Sequence, residues 1–231
     1  MDDFEKLRAA ARALTPDQKQ QIFADIRDGV LIHPLERQFH VNAEIILEAI
    51  HRAPDITQRG VRGLIAELTF VIDIMPKMEA EGWKNDPPIG EQAYDARLKK
   101  GNQSIRIQVK TQRRAKGVAM QRRNGFHVVE VQRTRTGTDG EGQATRPYRF
   151  DEFDLLAVCM QASTGSWHSF MYIPSKSLKP KRKAPEQINT MQAIPAFGDD
   201  GVWSNDLATA LGRVNDAVEA AAGDAPMLSF E

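Results

Sequence analysis

The strongest constraint on the fold is the segment from Ser104 to Gln112, in which polar and apolar side chains alternate from Ser104 to Lys110. One set of alternate positions holds Ile105, Ile107 and Val109, and the other holds Arg106, Gln108 and Lys110. Successive side chains of a β-strand point to opposite faces of its sheet. The alternation therefore predicts a strand with an apolar face in the core and a second face that carries polar groups.

Helical patterns precede this strand and further strands follow it. We predict two short helices within residues 3–28, a third over Val41–Arg52, and a long one over Thr57–Glu79 that Pro76 kinks or ends. The remaining predicted strands are Glu91–Lys99, Phe126–Gln132, Leu155–Gln161 and Trp167–Ile173. Residues 174–201 are predicted to be largely irregular, and Asn205–Ala222 is predicted to form a closing helix.

This order predicts an α/β fold with a mixed central sheet flanked by helices. We assign residues 1–55 to a helical N-terminal region. Residues 56–231 then form the core, which includes a polar, Gly-rich loop over 133–147 and the C-terminal helix. A polar loop of that length indicates a function more often than a mere connection.

Composition excludes several classes of protein. Hydrophobic residues make up 41% and charged residues 27% of the 231 residues, which is an ordinary globular balance. No run of about 18 apolar residues is present, and the N-terminus lacks the apolar stretch of a secretory signal. The single cysteine, Cys159, permits no internal disulfide, so we expect a cytoplasmic protein.

The net charge is zero, but the charge is unevenly distributed along the chain. Residues 97–149 hold fourteen Lys and Arg against three acidic residues, a local charge of +11 that the remainder balances. A strongly basic middle in a neutral protein favours a polyanionic partner such as nucleic acid. The alternative is a solvated charged surface.

Asp95, Gln108 and Lys110 together suit phosphodiester hydrolysis. That reaction needs a cation to neutralise the phosphate, a positioned water, and a positive charge near the transition state. Gln108 and Lys110 share a strand face and can project toward Asp95 across one turn. Glu67 lies in an apolar helical stretch without a basic residue three or four positions away, so we place it in the same site. The alternatives are a surface pair of Asp95 with Lys110 and a structural ion pair for Glu67.

Glu67, Tyr94-Asp95 and Gln108-Val109-Lys110 resemble the motif of the PD-(D/E)XK nuclease superfamily, which includes many type II restriction endonucleases. The resemblance implies that Asp95, Gln108 and Glu67 hold Mg²⁺, for which Mn²⁺ can substitute, and that Lys110 acts on the attacking water. Tyr94 stands where the motif usually has Pro. Gln108 stands where it has Asp or Glu, which removes one negative charge from the site.

The resemblance implies a restriction enzyme that cuts double-stranded DNA at a specific sequence, as a homodimer if the target is palindromic. A repair, junction-resolving or homing nuclease and a catalytically inactive DNA-binding protein remain alternatives. The basic residues that we expect at the DNA are Arg113, Arg114, Lys116, Arg122, Arg123, Arg133 and Arg135. Lys176 to Lys183 either clamps the DNA backbone or flanks a solvated stretch.

Overall fold

The computed structural model describes residues 2–27, 33–90, 92–133 and 147–223, and the chain divides into two compact units, residues 1–58 and 59–231. Within these described ranges, no helix is both long and apolar enough to cross a membrane.

Four of the described helices lie wholly within the first unit. They are α1 (Asp3–Ala13), α2 (Pro16–Arg27), α3 (Pro34–Phe39) and α4 (Ala43–Arg52). The Asn42 side chain accepts a hydrogen bond from Ile45 N and so caps α4. The short helix α3 was not predicted. It forms because the buried Glu36 carboxylate accepts hydrogen bonds from the backbone N–H of His33 at its start and from that of Ala43 beyond its end.

The long predicted helix is a continuous helical run that changes its type twice. Helix α5 (Asp55–Thr69) passes into a π-helical segment, Phe70–Ile74, and then into a 3₁₀ segment, Met75–Glu81. Pro76 has no N–H to donate and would clash with the carbonyl of an α-helical turn. The chain accommodates it because the N–H of Met75 bonds to Phe70 O, which widens the turn just before the proline.

The second unit is built on a mixed five-stranded sheet. Its strands are β1 (Lys84–Asn85), β2 (Ala96–Lys100), β3 (Gln103–Thr111), β7 (Leu155–Cys159) and β8 (Phe170–Pro174), which are neighbours in that order. Only the pairing of β3 with β7 is parallel. The predicted mixed central sheet is therefore confirmed. The first predicted strand begins later than expected, at Ala96, and Glu91 lies outside the described residues.

The short strands lie outside the central sheet. They are β4 (Arg114–Ala115), β5 (Val118–Ala119), β6 (His127–Glu130), β9 (Pro180–Lys181), β10 (Ala184–Ile188) and β11 (Met191–Ile194). They form three pairs: β4 with β5, β6 with β11, and β9 with β10. The prediction that residues 174–201 are largely irregular was therefore wrong. Their strands are too short to show a clear alternation.

Apolar residues pack on both faces of the central sheet. On one face, Ile107 and Val109 pack with Ala66 and Phe70 of the long helical run and with Leu211 of α7 (Leu207–Gly223). On the other face, side chains of β7 and β8 pack with those of β6 and β11 and with Tyr148, Phe153 and Trp203. Between β7 and β8 lies one helical turn, α6 (Gln161–Thr164).

Candidate active site

The turn between β2 and β3 sets Asp95 opposite Gln108. Ala96 pairs with Ile107 in the antiparallel register, and Asp95 N donates to Ile107 O at 3.0 Å, one residue before β2 begins. The turn at Gly101-Asn102 needs a left-handed residue, and Gly101 supplies it with a φ of 56°. In the same register Asp95 lies opposite Gln108, so its carboxylate is on the polar face of β3.

The Asp95 carboxylate and the Gln108 amide are in direct contact. Asp95 Oδ2 accepts hydrogen bonds from Val109 N at 2.8 Å and from Gln108 Nε2. Gln108 Nε2 also donates to Val109 O at 3.2 Å. Gln108 is only 1% exposed although it is polar, so the position beside Asp95 on this face of β3 is a buried polar one.

Lys110 lies on the same face of β3 as Gln108. Its ammonium nitrogen is 3.5 Å from the Tyr148 hydroxyl oxygen and 5.4 Å from the centre of the Tyr148 ring. Among the side chains that are described, none forms an ion pair with Lys110. Burial lowers the pKa of Lys110, while the charges of Asp95 and Glu67 act against that shift.

Glu67 extends from α5 toward the same site. It is half-buried and forms no hydrogen bond or ion pair with any residue of the described ranges, so the structural ion pair of the alternative interpretation is not found there. Burial raises the pKa of Glu67 and the charge of Asp95 raises it further, while Lys110 lowers it. Burial likewise raises the pKa of Asp95. The structure therefore brings together all four residues predicted for the site, and their catalytic roles stay a prediction.

The donor set fits a hard divalent cation through oxygen atoms. Among the described residues, no group of three or more His, Cys, Asp and Glu side chains could hold a metal ion. The available ligands are the Asp95 and Glu67 carboxylates, the Gln108 side-chain carbonyl and the backbone carbonyl of Val109. Asp95 Oδ2 and Val109 O already face one point, since Gln108 Nε2 donates to both. A half-turn of the amide directs its oxygen there instead, and oxygen ligands are those that Mg²⁺ prefers.

Five of the basic residues predicted for DNA lie on the segment that continues from β3, and three of them are exposed. Lys116 is exposed in the turn between β4 and β5, where its φ is 50°, and Arg123 is exposed further along. Arg122 is exposed as well and donates to the carbonyl of Met191 at 3.4 Å. These three side chains present positive charge to solvent beyond the end of β3.

The other predicted DNA contacts are engaged within the protein or are not described. Arg113 pairs with Glu130, and Arg133 pairs with Glu152. Arg114 donates to the side chain of Gln161 and to Gly117 O. Arg135 and the loop residues 134–146 lie outside the described residues.

Tyr148 is the residue at the site that sequence reasoning missed. Its ring packs edge-on against Phe153 at 5.4 Å, as a core residue would. Its hydroxyl group, however, donates to Gln108 Oε1 at 3.0 Å. Asp73, the next carboxylate along the same helical run, lies 3.0 Å from His168 Nε2.

Comparison with known proteins leaves the family open. No family model matches the sequence, and no curated protein matches it. The chain is similar to the solved structure of a bacterial homing endonuclease at 17% identity and a TM-score of 0.40, over 73% of this chain and 98% of the other. A likeness at that level supports no conclusion about activity.

Proposed function

We propose that this protein is a metal-dependent DNA endonuclease, of the type II restriction kind, that cuts double-stranded DNA at a specific sequence. The observation that carries the proposal is the convergence of Asp95, Gln108 and Lys110 from neighbouring strands on one buried polar point, with Glu67 joining from α5. A carboxylate, an amide and an ammonium on a sheet face without a structural ion pair between them indicate a ligand site.

The carboxylates supply negative charge that a cation can offset. Burial raises the pKa of both carboxylates, and the charge of Asp95 raises the pKa of Glu67 further, so the two are costly without a positive partner. Lys110 offsets only part of that charge. Asp95, Gln108 and Glu67 would hold Mg²⁺, or Mn²⁺ in its place. The bound cation would neutralise charge on the scissile phosphate and make a bound water more acidic.

Lys110 is suited to handle a proton of the attacking water. Burial lowers the pKa of Lys110, and a lower pKa increases the fraction of neutral amine at physiological pH. In its charged form the same side chain stabilises negative charge that develops on the phosphate. The position of Lys110 two residues from Gln108 keeps both side chains at the same point of the site.

DNA would contact the exposed cations that follow β3. Lys116, Arg122 and Arg123 lie on the segment that follows the strand carrying Gln108 and Lys110, so we place the DNA backbone along this segment. Phosphate contacts of this kind position the duplex without reading its sequence. A palindromic target would require two copies of the chain related by a two-fold axis, so we propose a homodimer.

A plasmid assay tests the proposal. The purified protein is incubated with supercoiled DNA and Mg²⁺, and Lys110→Ala is compared with Lys84→Ala, which changes an exposed lysine of β1. We expect discrete fragments from the wild type and from Lys84→Ala, and binding without cutting from Lys110→Ala. Nicking or structure-selective cutting would favour a repair, junction-resolving or homing nuclease. Binding without cutting by the wild type, even with Mn²⁺, would contradict the proposal and favour an inactive DNA-binding protein.

A further inference from the structure

We propose that Tyr148 is a positioning residue of the candidate active site, and that its hydroxyl group holds the Gln108 amide in place while its ring borders the Lys110 ammonium. The inference rests on the proposed nuclease function and adds to it a residue from outside the two strands of the motif. It predicts that Tyr148 acts through Gln108 and not through packing alone.

The backbone and the ring of Tyr148 are fixed by the fold. Tyr148 is 4% exposed, its ring meets Phe153 edge-on at an interplanar angle of 87°, and its carbonyl accepts from Ile188 N at 2.8 Å. Edge-on pairs of this kind have a preferred geometry. These contacts fix the position of the ring, and therefore of the hydroxyl group beside Gln108.

Tyr148 provides the hydrogen bond that Gln108 Oε1 accepts. The amide nitrogen of Gln108 is already committed to two acceptors, Asp95 Oδ2 and Val109 O, neither of which can donate through those atoms. A hydroxyl group both donates and accepts, so Tyr148 can bond to the amide in either of its two orientations. Without that hydroxyl, the Oε1 atom of a side chain that is 1% exposed would have no partner among the described residues.

The Tyr148 ring also faces two cations. Lys110 Nζ is 5.4 Å and the Arg133 guanidinium carbon 5.5 Å from the ring centre, and both distances are within reach of cation–π attraction. Replacement by Phe keeps the ring, these contacts and the packing on Phe153, and removes only the hydroxyl group. Tyr148→Phe therefore removes the hydrogen bond to Gln108 Oε1 and the 3.5 Å contact of the hydroxyl oxygen with Lys110 Nζ, and leaves the packing of the ring unchanged.

A matched control is available on the opposite face of the sheet. Tyr172 of β8 is 3% exposed and packs with Phe70 and Phe170, and its hydroxyl group makes no hydrogen bond with the residues that are described. Tyr172→Phe is the same chemical change in the other core. It leaves the site contacts of Gln108 and Lys110 intact.

The experiment combines a readout on the protein alone with one on cleavage. The side-chain amide protons of Gln108 are followed by NMR without metal, and the Mg²⁺ concentration for half-maximal single-turnover cleavage is measured. Loss of one neutral hydrogen bond predicts that Tyr148→Phe changes amide exchange and Mg²⁺ requirement by about threefold to tenfold each. DNA affinity should stay within about twofold, and Tyr172→Phe should match the wild type in both readouts.

A double-variant cycle separates positioning from packing. In the background of Gln108→Ala, Tyr148→Phe should add no further change to the Mg²⁺ requirement, because the group through which Tyr148 acts is gone. A full effect in that background would overturn the proposal, and so would a Tyr148→Phe variant that matches Tyr172→Phe while the wild type cuts DNA. If the wild type does not cut but Gln108 exchange responds to Tyr148→Phe alone, the nuclease function fails and the positioning role stands.

Discussion

Gln108→Glu restores the acid that the PD-(D/E)XK motif usually has, and its effect on stability follows from the contacts of Gln108. In the wild type, Nε2 donates to Asp95 Oδ2 and to Val109 O, while Oε1 accepts from Tyr148. A carboxylate keeps the acceptor, loses both donors and adds a second negative charge beside Asp95. Without metal, two carboxylates at such close range hold one proton between them, because both cannot ionise freely.

The loss of folding stability equals the free energy of keeping that proton on the carboxylate pair in the folded state. With an unfolded-state pKa of about 4.3 and about 1.4 kcal/mol per pH unit, the loss approaches about 4 kcal/mol at pH 7 and about 1 kcal/mol at pH 5. The pKa of the pair is raised in the folded state, so stability is retained below the unfolded-state pKa and lost as the pH rises toward the folded-state value. Mg²⁺ at a hundredfold excess over its Kd should return about 2.7 kcal/mol at pH 7.

Urea unfolding at pH 5 and pH 7, with and without Mg²⁺, measures these quantities. The control is Gln103→Glu, which makes the same change at an exposed position of β3 and should alter stability by no more than about 0.5 kcal/mol. Equal stability of both variants at pH 7 without metal would refute the contact between Gln108 and Asp95. A loss of stability in Gln108→Glu that Mg²⁺ does not reduce would agree with that contact but contradict the cation site.

Three further predictions concern Glu67, the basic residues Arg113 and Arg123, and the ion pair of Asp199. Glu67→Gln should leave the midpoint of urea unfolding unchanged or higher, because it removes a partly buried charge that has no ion-pair partner in the described ranges. The rate of single-turnover cleavage by the same variant should fall at least about tenfold. Arg123→Ala should lower the salt dependence of DNA binding by about one counterion in fluorescence anisotropy, whereas Arg113→Ala should chiefly lower stability because Arg113 is ion-paired. Asp199 bonds to Arg213, which lowers the pKa of Asp199 to about 2, so Asp199→Asn should reduce stability at pH 7, with the difference from the wild type vanishing in acid titrations as the pH falls from about 4 toward 2.

The position of the site on the sheet could be predicted because strand geometry is local. The alternation in β3 places Gln108 and Lys110 opposite to Ile107 whichever strands lie beside it, since the side-chain period is two. The short turn at Gly101 then limits the register of β2 against β3, and this register sets Asp95 opposite Gln108. The apolar spacing of α5 similarly predicted a helix that carries Glu67.

The partners supplied by distant segments could not be predicted. Tyr148 reaches Gln108 across 40 residues of sequence, and no local pattern encodes that contact. Arg113 is ion-paired because β6 brings Glu130 beside it, and β6 pairs along its length with β11. Strands of four residues carry too little pattern to reveal such a pairing.

Anomalous diffraction from crystals soaked in Mn²⁺ would test the central claim most directly. We expect a manganese peak at coordination distance from the Asp95 carboxylate, on the polar face of β3 between Gln108 and Glu67, and no such peak in Asp95→Ala crystals. A fully occupied peak elsewhere, or none at Asp95 in crystals whose DNA is bound and uncut, would contradict it.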